Sequence, residues 1–219
     1  MTIAPDTPVI ARLGDGALIV TLGDTVSWDV GTRVRAAADR IRAMHPSSVT
    51  DVVPAYTTLA VYFDSTQTSF EVVADVVTRA LSGGLDTPLS DARLIEIPVR
   101  YDGADLSDVA ERTGLTVADV IERHCSRTYR AYMSGFVPGF TYLGDLDRSL
   151  VLPRRITPRL RVPAGSVAIA GEQTAVYPLD TPGGWHLIGT TDVKMFDATR
   201  VEPALLRPGD SVRFVNTNR

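Results

Sequence analysis

The sequence predicts two domains of different classes, an α+β N-terminal domain over residues 1–85 and a mainly-β barrel domain over residues 92–219. A strand-strand-helix pattern occurs twice in the first third of the chain, and residues 83–91, rich in Gly, Pro, Ser and Asp, are predicted to be a linker. Short apolar runs punctuated by Gly and Pro fill residues 128–214. With 219 residues the chain can bury a real core, and its length permits two small domains.

The N-terminal domain is predicted to follow the order ββαββα. Strands are predicted at residues 9–13, 17–22, 49–53 and 58–63, and helices at residues 25–44 and 70–81. The helices are predicted from apolar residues at three- and four-residue spacings, and Gly14-Asp15-Gly16 between the first two strands is a hairpin signal. This order predicts one sheet with both helices on the same face.

The second domain is predicted to open with a strand at residues 94–101 and two short helices at residues 106–113 and 117–125. Asp105 and Thr116 are suitable N-caps for these helices, because their side-chain oxygens can accept hydrogen bonds from the backbone of the first turn. From residue 128 onward, the short strands are more typical of a closed barrel than of a parallel sheet.

Composition and charge exclude several classes of partner and site. The net charge is −4 without runs of like charge, so nothing indicates nucleic acid or an anionic membrane as a partner. Cys125 is the only cysteine, which excludes an intrachain disulfide and a thiolate zinc cluster, and no spaced histidines or acidic cluster predict a metal site. The N-terminus lacks a signal-peptide pattern and the apolar runs are too short to span a bilayer, so we expect a cytoplasmic protein.

The single lysine, Lys194, limits the chemistry further. A phosphate-binding P-loop needs Gly-x4-Gly-Lys-Ser/Thr, and this string does not occur. The Ser-Ser-Lys arrangement of amidase-signature hydrolases also needs a suitably placed lysine. The sequence therefore predicts neither a nucleotide-binding loop nor this hydrolase mechanism in the chain.

Residues 130–189 combine glycine, proline and aromatic residues in a way that is typical of loops around a ligand site. Phe136, Phe140 and Tyr142 lie four and two positions apart, so in an extended stretch they would line one wall of a pocket. The alternative interpretation is a barrel turn with aromatic packing.

An arginine-rich segment follows, in which Pro153 and Pro158 restrict the backbone. Guanidinium groups fork onto carboxylates and phosphates, so Arg155 and Arg159 are candidate ligands for an anionic substrate, with Arg159 first. The alternative is a solvated basic loop. Because Arg159 is predicted to lie in an exposed loop, its truncation is expected to leave folding nearly unchanged.

Two further motifs are candidate parts of the same pocket. Gln173 can donate and accept in one plane, which suits recognition of an amide. Gly183-Gly184-Trp185 offers free backbone N–H groups beside an indole face, a suitable cradle for an anion or a ring. A tight turn with a core tryptophan is the alternative for this second motif.

His124 is the candidate catalytic residue, as a general base or a polarising group. The alternative is a histidine that satisfies carbonyls at a helix C-terminus, where its positive charge is favoured. A Cys-His nucleophile with Cys125 is rejected, because neighbouring side chains on a helix do not face each other.

Three blocks of this sequence resemble one known family. Residues 135–144 resemble its GF-x-PGF-x-YLG element, residues 153–171 its PR-x2-TPR-x2-VPAGSV-x-IAG element, and residues 173–197 its QT-x2-YP…PGGW-x-IIG…FD element. The blocks keep their order, and residues 53–56 and 203–214 also match, so the resemblance covers nearly the whole chain. The family is that of the B subunit of bacterial ATP-dependent 5-oxoprolinase, also called allophanate hydrolase subunit 1 or KipI-type kinase inhibitors.

The resemblance implies a small α+β domain followed by a cyclophilin-like β-barrel, a name that describes shape and not prolyl isomerisation. It also implies the small subunit of a complex that uses ATP to open 5-oxoproline to glutamate, beside a larger C subunit and a separate A subunit. The ATP would then be shared with or bound by a partner subunit, and the isolated chain is expected to be inactive.

The resemblance leaves two alternative functions open, a KipI-type protein that docks on a histidine kinase and blocks autophosphorylation, and a subunit acting on allophanate or in urea carboxylation. A homo-oligomer is also left open. Two positions depart from the family pattern, Thr190 where similar sequences usually have Arg and Glu172 where they more often have Asn. Arg200 is a candidate substitute for the arginine absent at position 190.

Overall fold

The computed structural model describes residues 8–82, 84–85 and 93–218. The chain forms two compact units, Met1–Ser90 and Asp91–Arg219. Most of the predicted linker, residues 83–91, lies outside the described residues, so the linker and the exact domain boundary stay predictions. Each unit is described by itself below.

The N-terminal unit has the predicted order ββαββα. Its elements are β1 Val9–Arg12, β2 Ala17–Thr21, α1 Trp28–Ala43, β3 Val49–Pro54, β4 Thr58–Phe63 and α2 Phe70–Leu81. The strands form an antiparallel sheet in the order β1-β2-β4-β3. Helix α1 begins three residues later than predicted because Ser27 has an extended backbone and its side chain caps the Val30 amide.

One hydrophobic cluster joins both helices to the sheet of this unit. The inward strand residues include Leu18, Val20 and Val61, and they pack with Val34 of α1 and Val77 of α2, all completely buried. Both helices therefore lie on one face of the sheet, as predicted. Burial of this apolar face is the main favourable contribution to the folding free energy of the unit.

The C-terminal unit contains nine strands and two helices within the described residues. They are β5 Leu94–Val99, α3 Leu106–Thr113, α4 Val117–Cys125, β6 Thr128–Ser134, β7 Thr141–Gly144, β8 Arg159–Val162, β9 Ser166–Ala170, β10 Gln173–Val176, β11 Thr181–Gly183, β12 His186–Thr190 and β13 Ser211–Asn216. Seven strands form one sheet in the order β12-β9-β10-β7-β6-β13-β5, and β8 pairs separately with β11. The predicted helices and strands of this half are present, and β8 replaces part of the predicted basic loop.

The seven-stranded sheet closes on itself where its two edges meet. The amide of Arg100 donates to the carbonyl of Thr190 at 2.9 Å, and the amide of Thr190 donates back to Arg100 at 2.7 Å. Gly103 and Gly189 lie at this seam. A Cβ atom on Gly103 would stand 2.4 Å from the Gly189 nitrogen. The predicted barrel is thus confirmed, and its closure requires backbone approaches that only glycine permits.

The sheet has two apolar faces with different coverings. Alternate residues such as Val167 and Ile169 point into the barrel and join a cluster to which all seven strands and both helices contribute. The intervening Ala168 and Ala170 point outward and join a second cluster with aromatic side chains.

No helix among the described residues is long and apolar enough to cross a membrane.

Candidate functional site

The outer face of the barrel carries a cluster of aromatic rings. Phe140 is in contact with Tyr142, Tyr177 and Trp185, at centroid distances of 4.9, 5.3 and 5.7 Å, mostly edge to face. The small side chain of Ala175 on β10 belongs to the same cluster and leaves room for the rings above the sheet. Phe140 and Trp185 are buried, so these two form the base of the site and not its open wall.

Phe136 extends the cluster towards solvent. Its ring lies 5.4 Å from Phe140 and the residue is 60% exposed. Its backbone is not extended as predicted, because φ is 76° and the Phe140 amide closes a turn onto the Val137 carbonyl. Phe136, Phe140 and Tyr142 are therefore contiguous, but a turn joins them instead of an extended stretch. A bulky residue at positive φ is uncommon, and such strained residues cluster at functional sites.

Tyr177 is a member of this site that the sequence analysis missed. Its side chain is buried against Phe140, and burial raises the pKa of its hydroxyl, while a hydrogen bond from the Trp185 backbone and the nearby charges of Arg154 and Arg159 act in the opposite direction. The Tyr177 hydroxyl therefore lies within range of the positive charge of Arg154 and Arg159. The Val176-Tyr177-Pro178 string was the available signal, since a buried tyrosine needs a partner for its hydroxyl.

The two glycines of the Gly183-Gly184-Trp185 turn have different constraints. A Cβ on Gly183 would stand 2.3 Å from the Tyr177 hydroxyl, whereas one on Gly184 would have only ordinary contacts, the nearest at 3.7 Å. The Gly184 carbonyl accepts from the Arg155 amide at 2.8 Å. The turn therefore connects the aromatic cluster to the arginine segment, and the Trp185 backbone is used by Tyr177 instead of being free as predicted.

Gly183→Ala is expected to displace the Tyr177 ring and to lower the stability of the C-terminal unit by about 2–3 kcal/mol, because a buried ring has no space to retreat. Gly184→Ala, the matched control, is expected to change stability by less than about 1 kcal/mol. Urea unfolding followed by Trp185 fluorescence, in a Trp28→Phe background, compares the two. Equal midpoints for the two variants would contradict the contact.

Arg155 and Arg159 converge on one buried carboxylate. Arg159 Nη1 and Nη2 donate to the two Asp105 oxygens at 2.8 and 2.7 Å, and Arg155 Nη1 donates to one of them at 2.8 Å. Arg159 lies in β8 and its side chain is only 26% exposed. The expectation of an exposed, energetically silent Arg159 is therefore wrong, because truncation would leave Asp105 with fewer donors.

Asp105 occupies the predicted N-cap of α3, but its side chain does not cap the helix. It instead accepts from the Leu187 amide of β12 at 2.7 Å as well as from the arginines. Burial acts to raise the pKa of Asp105, and the hydrogen bonds from Arg159 and Leu187 outweigh it, so the pKa lies below its usual range. With two guanidinium groups and one carboxylate, the cluster carries a net charge of about +1.

Gln173 lies at the beginning of β10, on the outer face of the sheet. Thr174 points into the barrel, so Gln173 and Ala175 share the opposite face by the two-residue period of a strand. Gln173 is paired with Gly144, two residues beyond Tyr142, which makes it a diagonal neighbour of that ring on the same face. Gln173 thus shares a face with the aromatic rings, and the arginine segment adjoins them through the Arg155–Gly184 backbone hydrogen bond.

His124 lies on the other side of the sheet and is fully buried. Tyr101 donates to its Nδ1 at 2.7 Å, and its Nε2 donates to Thr174 Oγ1 at 2.9 Å, a direction set by Thr174, whose hydroxyl donates to the Ala168 carbonyl. Its ring stacks on Phe214 at 4.6 Å. Desolvation lowers the pKa of His124 to about 3, so it is neutral at pH 7. The structure does not bring His124 to the aromatic site, and it does not carry the charge expected at a helix end.

Thr190 lies at the barrel seam in a surface network of charged groups. Its hydroxyl donates to Asp102 at 2.8 Å and is 3.2 Å from Arg100 Nη2, and Arg100 also pairs with Asp192 at 2.7 Å. Arg200 lies elsewhere and pairs with Asp197. A guanidinium group is therefore present beside position 190, and Arg100 supplies it instead of Arg200.

Among the described residues no group of three or more His, Cys, Asp or Glu is arranged to hold a metal.

Comparisons with known proteins agree with this architecture. The family model described as carboxyltransferase domain, subdomain C and D, matches residues 8–206. A relative from Escherichia coli O157:H7, named as the B subunit of 5-oxoprolinase, is 42% identical over 208 residues, covering 93% of each chain. The crystal structure of TTHA0988 has 40% identity and a TM-score of 0.83 over 94% of this chain. This chain spans only 40% of the length of that longer chain.

A more distant structure supports the fold alone. Kluyveromyces lactis urea carboxylase matches 96% of this chain with a TM-score of 0.75 at 14% identity, and the match covers 22% of that enzyme. The same order of an α+β unit and a cyclophilin-like barrel therefore persists where little sequence identity remains. Family membership itself rests on the family model and the 42% identical relative. The chain belongs to the carboxyltransferase domain family, subdomain C and D, together with proteins named as the B subunit of 5-oxoprolinase.

Proposed function

We propose that this chain is the small B subunit of a heteromeric 5-oxoprolinase, which opens 5-oxoproline to glutamate. The observation that carries the proposal is the 42% identity, over 93% of both chains, to a relative of that name. The C-terminal unit supports it, because aromatic rings and an amide side chain share the outer face of the barrel, and the arginine segment is tied to the Gly183-Gly184-Trp185 turn by the Arg155–Gly184 hydrogen bond.

The chemistry of 5-oxoproline suits these groups. The molecule has a five-membered lactam ring and a carboxylate. Arg155 and Arg159 would attract the carboxylate, and Gln173 would recognise the lactam amide through its paired donor and acceptor. Phe136 and Tyr142, which are more accessible than Phe140 and Trp185, would contact the ring. In this assignment the chain binds and orients the substrate.

The remaining chemistry would come from partner subunits. ATP would phosphorylate the lactam oxygen, which makes the ring carbon attackable and creates a leaving group. The sequence contains no P-loop, so we assign ATP binding to a larger C subunit, alone or together with this chain, and completion of hydrolysis to an A subunit.

Co-expression with the A and C subunits tests the proposal. We expect ATP-dependent glutamate release from 5-oxoproline by the complex and none by the purified chain, because the chain has no phosphate-binding loop. Glutamate release by the chain alone would refute this division of labour. ATP-dependent turnover of allophanate or urea, or inhibition of a histidine kinase without 5-oxoproline turnover, would replace the proposed function with one of the two alternatives.

A further inference from the structure

Asp105 connects three parts of the C-terminal unit that are far apart in the sequence. It precedes α3, accepts from the Leu187 amide of β12, and accepts from Arg155 and Arg159, which are 50 and 54 residues away. Its side chain is 4% exposed. The carboxylate is therefore tied to the barrel frame by the Leu187 amide of β12, and the arginine segment supplies its other three hydrogen bonds.

The donors around Asp105 use both of its oxygens. One oxygen accepts from Arg155 and from Arg159, and the other accepts from Arg159 and from the Leu187 amide, all at 2.7–2.8 Å. The bidentate pairing of Arg159 with Asp105, through Nη1 and Nη2, fixes the plane of the guanidinium group. Asp105 thus leaves these two flexible side chains little freedom of rotation, and this ordering occurs before any ligand arrives.

The arginine segment adjoins the aromatic site, since the Arg155 amide donates to the Gly184 carbonyl at 2.8 Å. Residue 159 is the Cα partner of Gly183, whose backbone packs against the Tyr177 hydroxyl, and the charge of Arg159 acts on Tyr177. Arg159 is therefore near Tyr177 while both of its end nitrogens donate to Asp105. Two guanidinium groups against one carboxylate leave a net attraction for an anion at this position.

We propose that Asp105 is the positioning residue of the substrate site, which orients Arg155 and Arg159 for the carboxylate of a small cyclic-amide acid and does not itself touch it. This inference rests on the proposed function. The ligand class is an anion with an attached ring, because the arginine segment adjoins the aromatic cluster at the Gly183-Gly184 turn.

Asp105→Asn in the assembled complex tests the proposal. An amide turns an –NH2 group towards arginine donors and removes the charge, so the guanidinium groups lose their fixed orientation. We expect the KM for 5-oxoproline to rise about ten- to a hundred-fold, with kcat changed much less, because substrate binding is lost while the partner subunits still carry the chemistry.

Asp210→Asn is the matched control. Asp210 is in the same unit and its side chain is also 4% exposed. It accepts from Arg93 Nε at 3.1 Å and from the Arg207 amide at 2.9 Å, and neither partner belongs to the aromatic cluster. We expect it to lower the unfolding midpoint as Asp105→Asn does and to leave KM unchanged. Equal KM changes in both variants, or an unchanged KM in folded Asp105→Asn, would overturn the positioning role.

A second measurement does not depend on the activity of the complex. Phenylglyoxal modification of the wild-type chain, mapped by mass spectrometry, should be slower at Arg155 and Arg159 than at exposed Arg154, and Asp105→Asn should remove this difference. Equal rates at the three arginines of the wild-type protein would overturn the proposal even if Asp105→Asn fails to fold. If the rates differ as expected but the complex does not turn over 5-oxoproline, the proposed function fails and the positioning of the arginines stands.

Discussion

Gly103→Ala is expected to destabilise the C-terminal unit by about 3 kcal/mol or more, because it forces the barrel seam apart. The new Cβ would stand 2.3–2.4 Å from backbone atoms of Leu187, Ile188 and Gly189. Backbone in a closed barrel cannot yield as a flexible side chain can, so the Arg100–Thr190 hydrogen-bond pair would be lost with it. Urea unfolding, followed by fluorescence of Trp185 in a Trp28→Phe background, reports on this unit.

Gly135→Ala serves as the control for the seam. It lies in the same unit, and the nearest atom to its Cβ is the flexible end of Met133 at 3.3 Å. We expect a cost below about 1 kcal/mol there. Amide hydrogen exchange adds a local test, since Gly103→Ala should accelerate exchange at Arg100 and Thr190 first. An unchanged midpoint and unchanged exchange would show that the seam can absorb a methyl group.

Local periodicity was sufficient to predict most of the fold. The three- and four-residue spacings of α1 and α2, and the short apolar runs that became β9 and β10, are determined by neighbours within a few residues. The family motifs placed the aromatic residues on one site for the same reason, since they are close in the chain. For Phe136, held at positive φ, the backbone conformation was missed but the neighbouring rings were not.

The parts that escaped prediction depend on contacts across long stretches of sequence. Arg159 resembled a solvated loop residue because nothing within reach in the sequence shows its partner, Asp105, 54 residues earlier. Asp105 resembled an ordinary helix cap for the same reason. Charged residues are usually solvated, so a sequence pattern favours that interpretation until the fold brings two of opposite sign together.

His124 illustrates the same limit from inside the barrel. Its position at the end of α4 favoured a charged, partly solvated histidine, whereas the strands bring Tyr101, Thr174 and Phe214 around it and exclude water. Both ring nitrogens are used, and the Tyr129 hydroxyl donates to its carbonyl at 2.8 Å. The residue predicted as a catalytic candidate is thus a neutral hydrogen-bonding member of the core.

The burial of His124 predicts an acid-sensitive C-terminal unit. Its pKa is lowered from 6.5 to about 3, so below pH 6.5 the unfolded chain takes up a proton that the folded barrel does not bind. The stabilisation is complete above pH 6.5 and is lost as the pH falls, at about 1.4 kcal/mol per pH unit. Between pH 6.5 and 4.5 the free energy of unfolding should therefore drop by about 2–3 kcal/mol, before carboxylates such as Asp105 begin to protonate.

His124→Gln separates this effect from other titrations, because it keeps a neutral donor and acceptor and removes the ionisable ring. The variant is expected to be less stable at pH 7 but to show a flatter dependence on pH, by about 2–3 kcal/mol over the same interval. Urea unfolding at half-unit pH steps, followed by Trp185 fluorescence in the Trp28→Phe background, measures both slopes. Parallel curves for the two proteins would mean that His124 can be protonated inside the folded barrel, and that its hydrogen bonds to Tyr101 and Thr174 do not hold it neutral.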